Sequence, residues 1–224
     1  MIPLHVAVYA GVFVIFDSFA LQSYQNGPVG SPAHVLKIEA PACKSGQMRV
    51  KKVITMRIRP EQCDDYEKIY LLIKEAFATA EHADGNEQDL VVALRKSDAY
   101  VSQLALVAEI KGELVGHILF TKANVGNQEV LVLAPLSVKP FYQKQGIGSS
   151  LVTEGHRIAK ALNYQYSLVL GSELYYPRFG YAPAEPMGVV LPKGIPSANL
   201  MAIPLQENAP PLNGPIAYAK EFGL

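Results

Sequence analysis

The amino-acid sequence predicts a mixed α/β sheet with helices on both of its faces. Three observations predict it: two early segments repeat apolar residues at helical spacing, apolar strand-like runs fill the middle of the chain, and a strand, a helix and a second strand follow one another between residues 130 and 170. With 224 residues, half of them apolar, the chain can bury a full core without disulfides. Cys43 and Cys63 are too few and too isolated for a zinc site of the C-x-x-C kind, and two free thiols suit a reducing compartment. Twenty basic side chains balance twenty acidic ones, which argues against a protein that coats nucleic acid or a charged membrane surface. Small molecules are the expected partners.

The elements follow in order from residue 56. Arg57-Ile58-Arg59 alternates as a short strand that Pro60 ends, and Ile69, Leu72, Ile73, Ala76 and Phe77 trace one face of a helix whose first turn suits Asp64 or Asp65. The polar loop 81–86 leads to Leu90, Val91 and Leu94, a second short helix that closes on Arg95 and Lys96, as a helix C-terminus favours. Leu104 to Ile110, a turn at Lys111-Gly112, and Leu114 to Thr121 read as a hairpin. Gly126-Asn127 turns the chain into Val130 to Val138. A helix with Ile147, Leu151, Ile158 and Leu162 on one face comes next, then the apolar strand Tyr166 to Leu170, a helical turn around Tyr175 and Tyr176, and strands near 187–191 and 199–203. Pro135 lies inside an otherwise central strand, where it removes a ladder donor, so this strand is expected to bulge or to part from a neighbour. A parted sheet is a place for a ligand.

Residues 1–55 differ from the rest. They hold five Lys/Arg and two acids, against fifteen and eighteen from residue 56 onward. Val6 to Phe16 is apolar for only eleven residues, where a membrane-spanning helix needs about 20. No Lys or Arg precedes Lys37, so the positive start of a secretory signal is missing, although Ser18-Phe19-Ala20 imitates a cleavage site. A Gly/Pro/Ser/Asn-rich segment and a short basic run complete the region. The expected organisation is a poorly ordered or loosely docked extension over 1–55 and a working domain over 56–224, without stable membrane insertion.

The sharpest chemical signal is Gln143-Lys144-Gln145-Gly146-Ile147-Gly148-Ser149-Ser150, between a strand and a helix. Two glycines at a helix N-terminus let backbone N–H groups close on an anion, and the helix dipole adds favourable potential, so a diphosphate is the expected guest. A Walker loop would need Gly-Lys-Ser/Thr at its end, and a dinucleotide fingerprint would need a third glycine where Leu151 stands. Taken alone, the segment is also compatible with a glycine-rich helix start that binds nothing.

Gln-x-x-Gly-x-Gly after Leu136-Ser137-Val138-Lys139-Pro140 resembles the acetyl-coenzyme A loop of the GNAT acyltransferase superfamily, and Tyr176-Pro177-Arg178-Phe179-Gly180-Tyr181 resembles its Tyr-x-x-x-Gly-aromatic element. The segments 82–91, Val115-Gly116-His117-Ile118-Leu119-Phe120 and 175–180 are similar to the bacterial YhbS-like branch, and the resemblance covers about residues 56 to 205. It implies a mostly antiparallel sheet splayed between its fourth and fifth strands, 130–138 and 166–170, with the pantetheine of acetyl-coenzyme A (acetyl-CoA) in the gap. By the same resemblance, Leu136, Ser137 and Val138 hold the pantetheine, the first and last through their backbones. Gln143, Lys144, Gln145, Gly146, Ile147, Gly148 and Ser149 surround the diphosphate, and an N–H near Leu136 faces the oxyanion of the tetrahedral intermediate.

The implied reaction is acetyl transfer to a primary amine, a cytoplasmic activity given its cosubstrate. An amine of pKa about 10.4 must lose a proton to attack, and the departing thiolate gains from receiving one. Tyr176 matches the superfamily's general acid, although the cluster Tyr175, Tyr176, Phe179 and Tyr181 also reads as an aromatic lid. Some superfamily members use a glutamate on the fourth strand as base, but 130–138 contains no acid. Glu87 and His117 are the alternatives, against the plainer readings of a helix first-turn charge and a satisfied core histidine. His82 and Asp84 share the acceptor-side loop without spelling a metal site. Nine acids against two lysines between Glu61 and Asp89 either draw a cationic acceptor or form a solvated helix face. A regulatory module that binds acyl-CoA without turnover, and a scaffold without coenzyme affinity, are the rival functions.

Overall fold

Long apolar strands with no polar face require cover on both sides, and the chain supplies it. A computed structural model describes residues 33–39, 51–78 and 85–223, with the backbone alone for 33–39 and 51–54. The strands are β1 (Ala33–Glu39), β2 (Lys51–Pro60), β3 (Tyr100–Ile110), β4 (Glu113–Val125), β5 (Gln128–Val138), β6 (Tyr166–Leu170), β7 (Ala182–Pro183), β8 (Val189–Val190), β9 (Leu200–Pro204) and β10 (Gly214–Ala217). Among the described residues the α-helices are α1 (Tyr66–Phe77), α2 (Glu87–Leu94) and α3 (Ile147–Ala161). The sheet runs β1-β2-β3-β4-β5-β6-β9-β7, with β10 beside both β4 and β8. Neighbours along that run are antiparallel, except that β6 lies parallel to β5, joined to it through α3. The fold is therefore the mixed, mostly antiparallel sheet expected from the sequence. Because β1 precedes them, the strands counted fourth and fifth in the sequence are β5 and β6.

Two cores form, one per face. Ile69, Leu72, Ile73, Val91 and Leu94 of α1 and α2 pack on Ala105, Val107 and Leu119. Ile147, Leu151, Val152 and Ala159 of α3 pack with Ile118, Phe120 and Leu131 in the larger cluster. These are the apolar stripes visible in the sequence, and their burial is the main stabilising term. α3 approaches β4 closely, for a Cβ on Gly116 would stand 3.0 Å from the side chains of both Ile147 and Leu151.

Strand boundaries depart from the sequence reading where pairing, rather than pattern, decides them. β3 begins at Tyr100, four residues before the apolar run, and its register to β4 shifts between Tyr100 and Ala105. β2 extends back to Lys51 by pairing with β1. The short β7 and β10 carry too few residues to show a period.

Among the described residues, no helix is long and apolar enough to cross a membrane, and Cys63 is a free, exposed thiol. The apolar run 6–16, the segment 23–32, Cys43, His82 and Asp84 lie outside the described residues.

Candidate active site

The site begins with the break in the sheet. Between Ile118 and Phe120 of β4 the partner on β5 moves from Leu136 to Leu133, so β5 carries one extra residue around Ala134-Pro135. This is the bulge expected from a proline that cannot donate to the ladder. β5 then pairs with β6 only at Leu131↔Ser167 and Val132↔Leu168, while β6 continues to Leu170 against β9. From Leu133 to Val138, one edge of β5 has no strand beside it among the described residues. Which backbone groups face that gap follows from antiparallel alternation. Lys139 N–H donates to Val115 O at 2.9 Å, and Ser137, two residues back, is likewise turned toward His117 on β4. The N–H and C=O groups of Leu136 and Val138 therefore point away from β4, into the gap.

The helix start lies beside this edge. Gln143 Nε2 donates to Val138 O at 3.0 Å and Gln145 Nε2 to Phe141 O at 2.9 Å, which fastens the loop to the end of β5. Lys144 and Gly146 both adopt left-handed backbone conformations, with φ of 60° and 85°. Gly146 is the N-cap of α3, and no side chain caps this helix. The first internal bond is Ser150 N–H to Gly146 O at 3.0 Å, so the amides of Ile147, Gly148 and Ser149 remain available to an anion. Gly148 has a second reason to be glycine, because a Cβ there would stand 2.9 Å from the Tyr175 hydroxyl. Leu136 and Val138 side chains lie 3.7 Å from the same point, so loop, β5 edge and tyrosine meet in one place.

The aromatic cluster is tightly knit. Tyr176 is 1 % exposed and stacks edge-on against Tyr175 at 5.3 Å and Tyr181 at 5.5 Å, with its ring against Gly171. Burial pushes its phenol well above the usual value, with neighbouring Tyr175 and Tyr181 adding to the effect, so it stays protonated. Tyr181 bonds Ser167 Oγ at 2.7 Å and His156 Nε2 at 2.9 Å, and burial lowers His156 to about 4.

On the α1–α2 face, His117 is fully buried and lies across from Ser137. Its Nε2 stands 3.0 Å from Glu61 Oε2, whereas its Nδ1 and the Ser137 hydroxyl are buried without a hydrogen-bond partner among the described residues. The plain reading of a satisfied core histidine thus holds for one ring nitrogen only. Glu87 opens α2 and is also buried. The acidic stretch from Glu61 to Asp89 is only partly a solvated face, since Glu61, Asp65 and Glu87 turn inward. Glu61, Arg95 and Tyr100 meet His117 without any signal of it in the sequence. They come from three different elements, and Arg95 has the look of a simple helix-end charge. Among the described residues, no group of three or more His, Cys, Asp or Glu could hold a metal.

Two clefts, of about 570 and 490 Å³, lie elsewhere, under α1 at the β3–β4 turn and beside the 217–221 segment. The gap at β5 differs in kind, because its binding surface is a strand edge and a helix end rather than a bowl. A parted parallel strand pair beside an uncapped, glycine-bearing helix start defines an α/β protein built to receive an extended, anion-headed molecule.

The chain belongs to the acetyltransferase (GNAT) family, whose model matches residues 64–181. It is 38% identical over 115 residues to the N-acetyltransferase YjhQ of Escherichia coli K12, a match covering 49% of this chain and 64% of YjhQ, just under two thirds of that relative's length. To the N-acetyltransferase YhbS of the same organism it is 28% identical over 128 residues, covering 56% of this chain and 73% of YhbS. The crystal structure of E. coli YhbS in complex with CoA shares the fold, with a TM-score of 0.70 at 24% identity over 79% of this chain and 97% of that one. A GNAT acetyltransferase from Brucella melitensis in complex with acetyl-CoA aligns with a TM-score of 0.63 at 29% identity, covering 75% and 97%.

Proposed function

We propose that this protein is an acetyl-CoA-dependent N-acetyltransferase that passes the acetyl group directly to a primary amine, on a small molecule or a protein, in the cytoplasm. We place the transferase domain at residues 56–224 with residues 1–55 as an extension, of which 33–39 and 51–55 join the sheet as β1 and the first half of β2. The observation that carries this reading is the open edge of β5 ending beside the uncapped start of α3. The residues fit the cosubstrate. Leu136 and Val138 offer backbone donors and acceptors to its pantetheine arm, while the amides of Gln145 to Ser149 and the Lys144 charge suit its diphosphate. Two relatives of the same fold are complexes with CoA and acetyl-CoA, which supports the assignment.

The chemistry follows from the arrangement. The amine nitrogen attacks the thioester carbon, forming the C–N bond while the carbonyl electrons move to oxygen. A backbone N–H near Leu136 stabilises that oxyanion. His117 or Glu87 takes the proton from nitrogen, the C–S bond breaks, and Tyr176 protonates the departing thiolate. His117 is the better base: Nδ1 is a buried nitrogen without a partner, across from the serine between the two gap-facing residues. No covalent enzyme intermediate is needed.

Calorimetric titration of the full chain with acetyl-CoA, followed by thiol release with a panel of amines, tests the reading. Saturable binding and amine-dependent turnover are expected. A folded protein that does not bind acetyl-CoA overturns it, and binding without turnover by any amine leaves the regulatory module.

A further inference from the structure

Four side chains from four parts of the chain converge under the α1–α2 layer. Glu61 directly follows β2, where its N–H donates to Ala105 O at 2.8 Å, and its side chain is 1 % exposed. Oε1 accepts from Arg95 Nε at 2.7 Å and from the Tyr100 hydroxyl at 2.8 Å. Oε2 accepts from Arg95 Nη2 at 2.9 Å and faces His117 Nε2 at 3.0 Å. Burial alone would raise this carboxyl, but hydrogen bonds and charge from Arg95 and His117 prevail and hold it at about 2. A carboxylate can only accept, so the ring nitrogen facing it carries a proton. The other nitrogen, Nδ1, looks away from Glu61. Among the described residues, it and the Ser137 hydroxyl are both buried without partners, on directly opposed residues of β4 and β5. Buried polar groups are rarely left so, and a place where a polar reactant is met is one explanation for two of them on opposed residues. Ser137 sits between Leu136 and Val138, whose backbones face the gap.

We infer that Glu61 is a positioning residue: with Arg95 and Tyr100 it locks His117 as the Nε2–H tautomer, so that Nδ1, on the residue across from Ser137, is the lone pair that receives the acceptor amine's proton. This rests on the reading of His117 as the base. The proton leaves nitrogen for Nδ1 as the C–N bond forms, and the Glu61 carboxylate stabilises the resulting imidazolium. After the C–S bond breaks and Tyr176 has protonated the thiolate, the proton gained at His117 and the one lost at Tyr176 are exchanged through solvent. The balance is one amide and one thiol per thioester and amine.

The test combines side-chain ¹⁵N NMR of the histidines in the full chain with thiol release from acetyl-CoA, using methylamine, the smallest primary amine, as acceptor. In the wild type His117 is expected to show a protonated Nε2 and a bare Nδ1. The Nδ1–H form, or a mixture of the two, overturns the proposal whether or not any variant folds. Glu61→Gln keeps the shape and removes the charge. It is expected to disturb that tautomer and to lower kcat with methylamine by about tenfold or more, with KM for acetyl-CoA unchanged. A purely structural role would lower Tm and leave the tautomer and the kcat of folded protein alone, and that result sinks the proposal. His117→Gln separates the two ideas. If it retains kcat, the base reading falls and Glu61 falls with it. If it loses kcat while Glu61→Gln keeps both tautomer and kcat, only the positioning role is wrong.

Discussion

Tyr176 and His156 show how burial sets the chemistry of single side chains in this molecule. Burial raises the Tyr176 phenol, so it stays protonated, and in the proposed reaction it is the donor rather than the base. Tyr176→Phe removes only the hydroxyl and keeps the ring that stacks on Tyr175 and Tyr181. Steady-state kinetics should show kcat falling by about 10²-fold with acetyl-CoA affinity little changed; equal turnover would return the residue to the aromatic lid. His156 reports on stability instead. Its ordinary value of 6.5 falls to about 4 in the folded state through burial. Between these values the unfolded chain binds the proton and the folded chain does not, so the contribution is complete above pH 6.5 and is lost as pH falls toward 4. His156→Gln should flatten the denaturant midpoint over that window. Glu61 acts in the same direction at lower pH, lost between its ordinary 4.5 and about 2.

Among the elements, the start of α3 and the edge of β5 lie together, and the proposed reading makes them one binding surface. Gly146 sits at φ 85°, where an L-residue is strained, and its neighbours present amides that no side chain caps. Gly146→Asp adds both strain and a carboxylate against the diphosphate, and calorimetry should show acetyl-CoA affinity reduced by about tenfold or more. The ladder makes a finer prediction. Ser137 N–H is already committed to β4, whereas the N–H groups of Leu136 and Val138 face the gap. Hydrogen exchange should therefore slow at 136 and 138 on adding acetyl-CoA and change little at 137. Equal slowing at all three would mean that the cosubstrate does not run along this edge. The same β5 strand shows what can be read locally: Pro135 announced the bulge because a missing N–H is a property of the residue itself.

For the whole molecule, acetyl-CoA would join two bodies that the sheet holds apart, the β4–β5 ladder with α3 on one side and β6–β9 with the tyrosine cluster on the other. Binding only to the folded state should raise stability by about 2.7 kcal/mol at a hundredfold excess over Kd, seen as a Tm that climbs with ligand concentration. A Tm indifferent to acetyl-CoA would count against the gap as its site.

The α/β class, the amphipathic helix faces, the glycine-bearing helix start and the break at Pro135 were legible in the sequence. Each depends on residues within one element or its immediate neighbours, where periodicity, glycine backbone freedom and a missing proline donor act locally. The tertiary structure supplied the cause of the backbone roles that the resemblance implies for Leu136 and Val138, because which residues face the gap depends on register to β4. It also decided that Tyr175 rather than Tyr176 places its hydroxyl against Gly148. The Glu61, Arg95, Tyr100 and His117 cluster was illegible for the same reason. Its members are up to 56 residues apart and meet only when β2, α2, β3 and β4 pack together, and a buried carboxylate draws its partners from whatever the fold brings within reach.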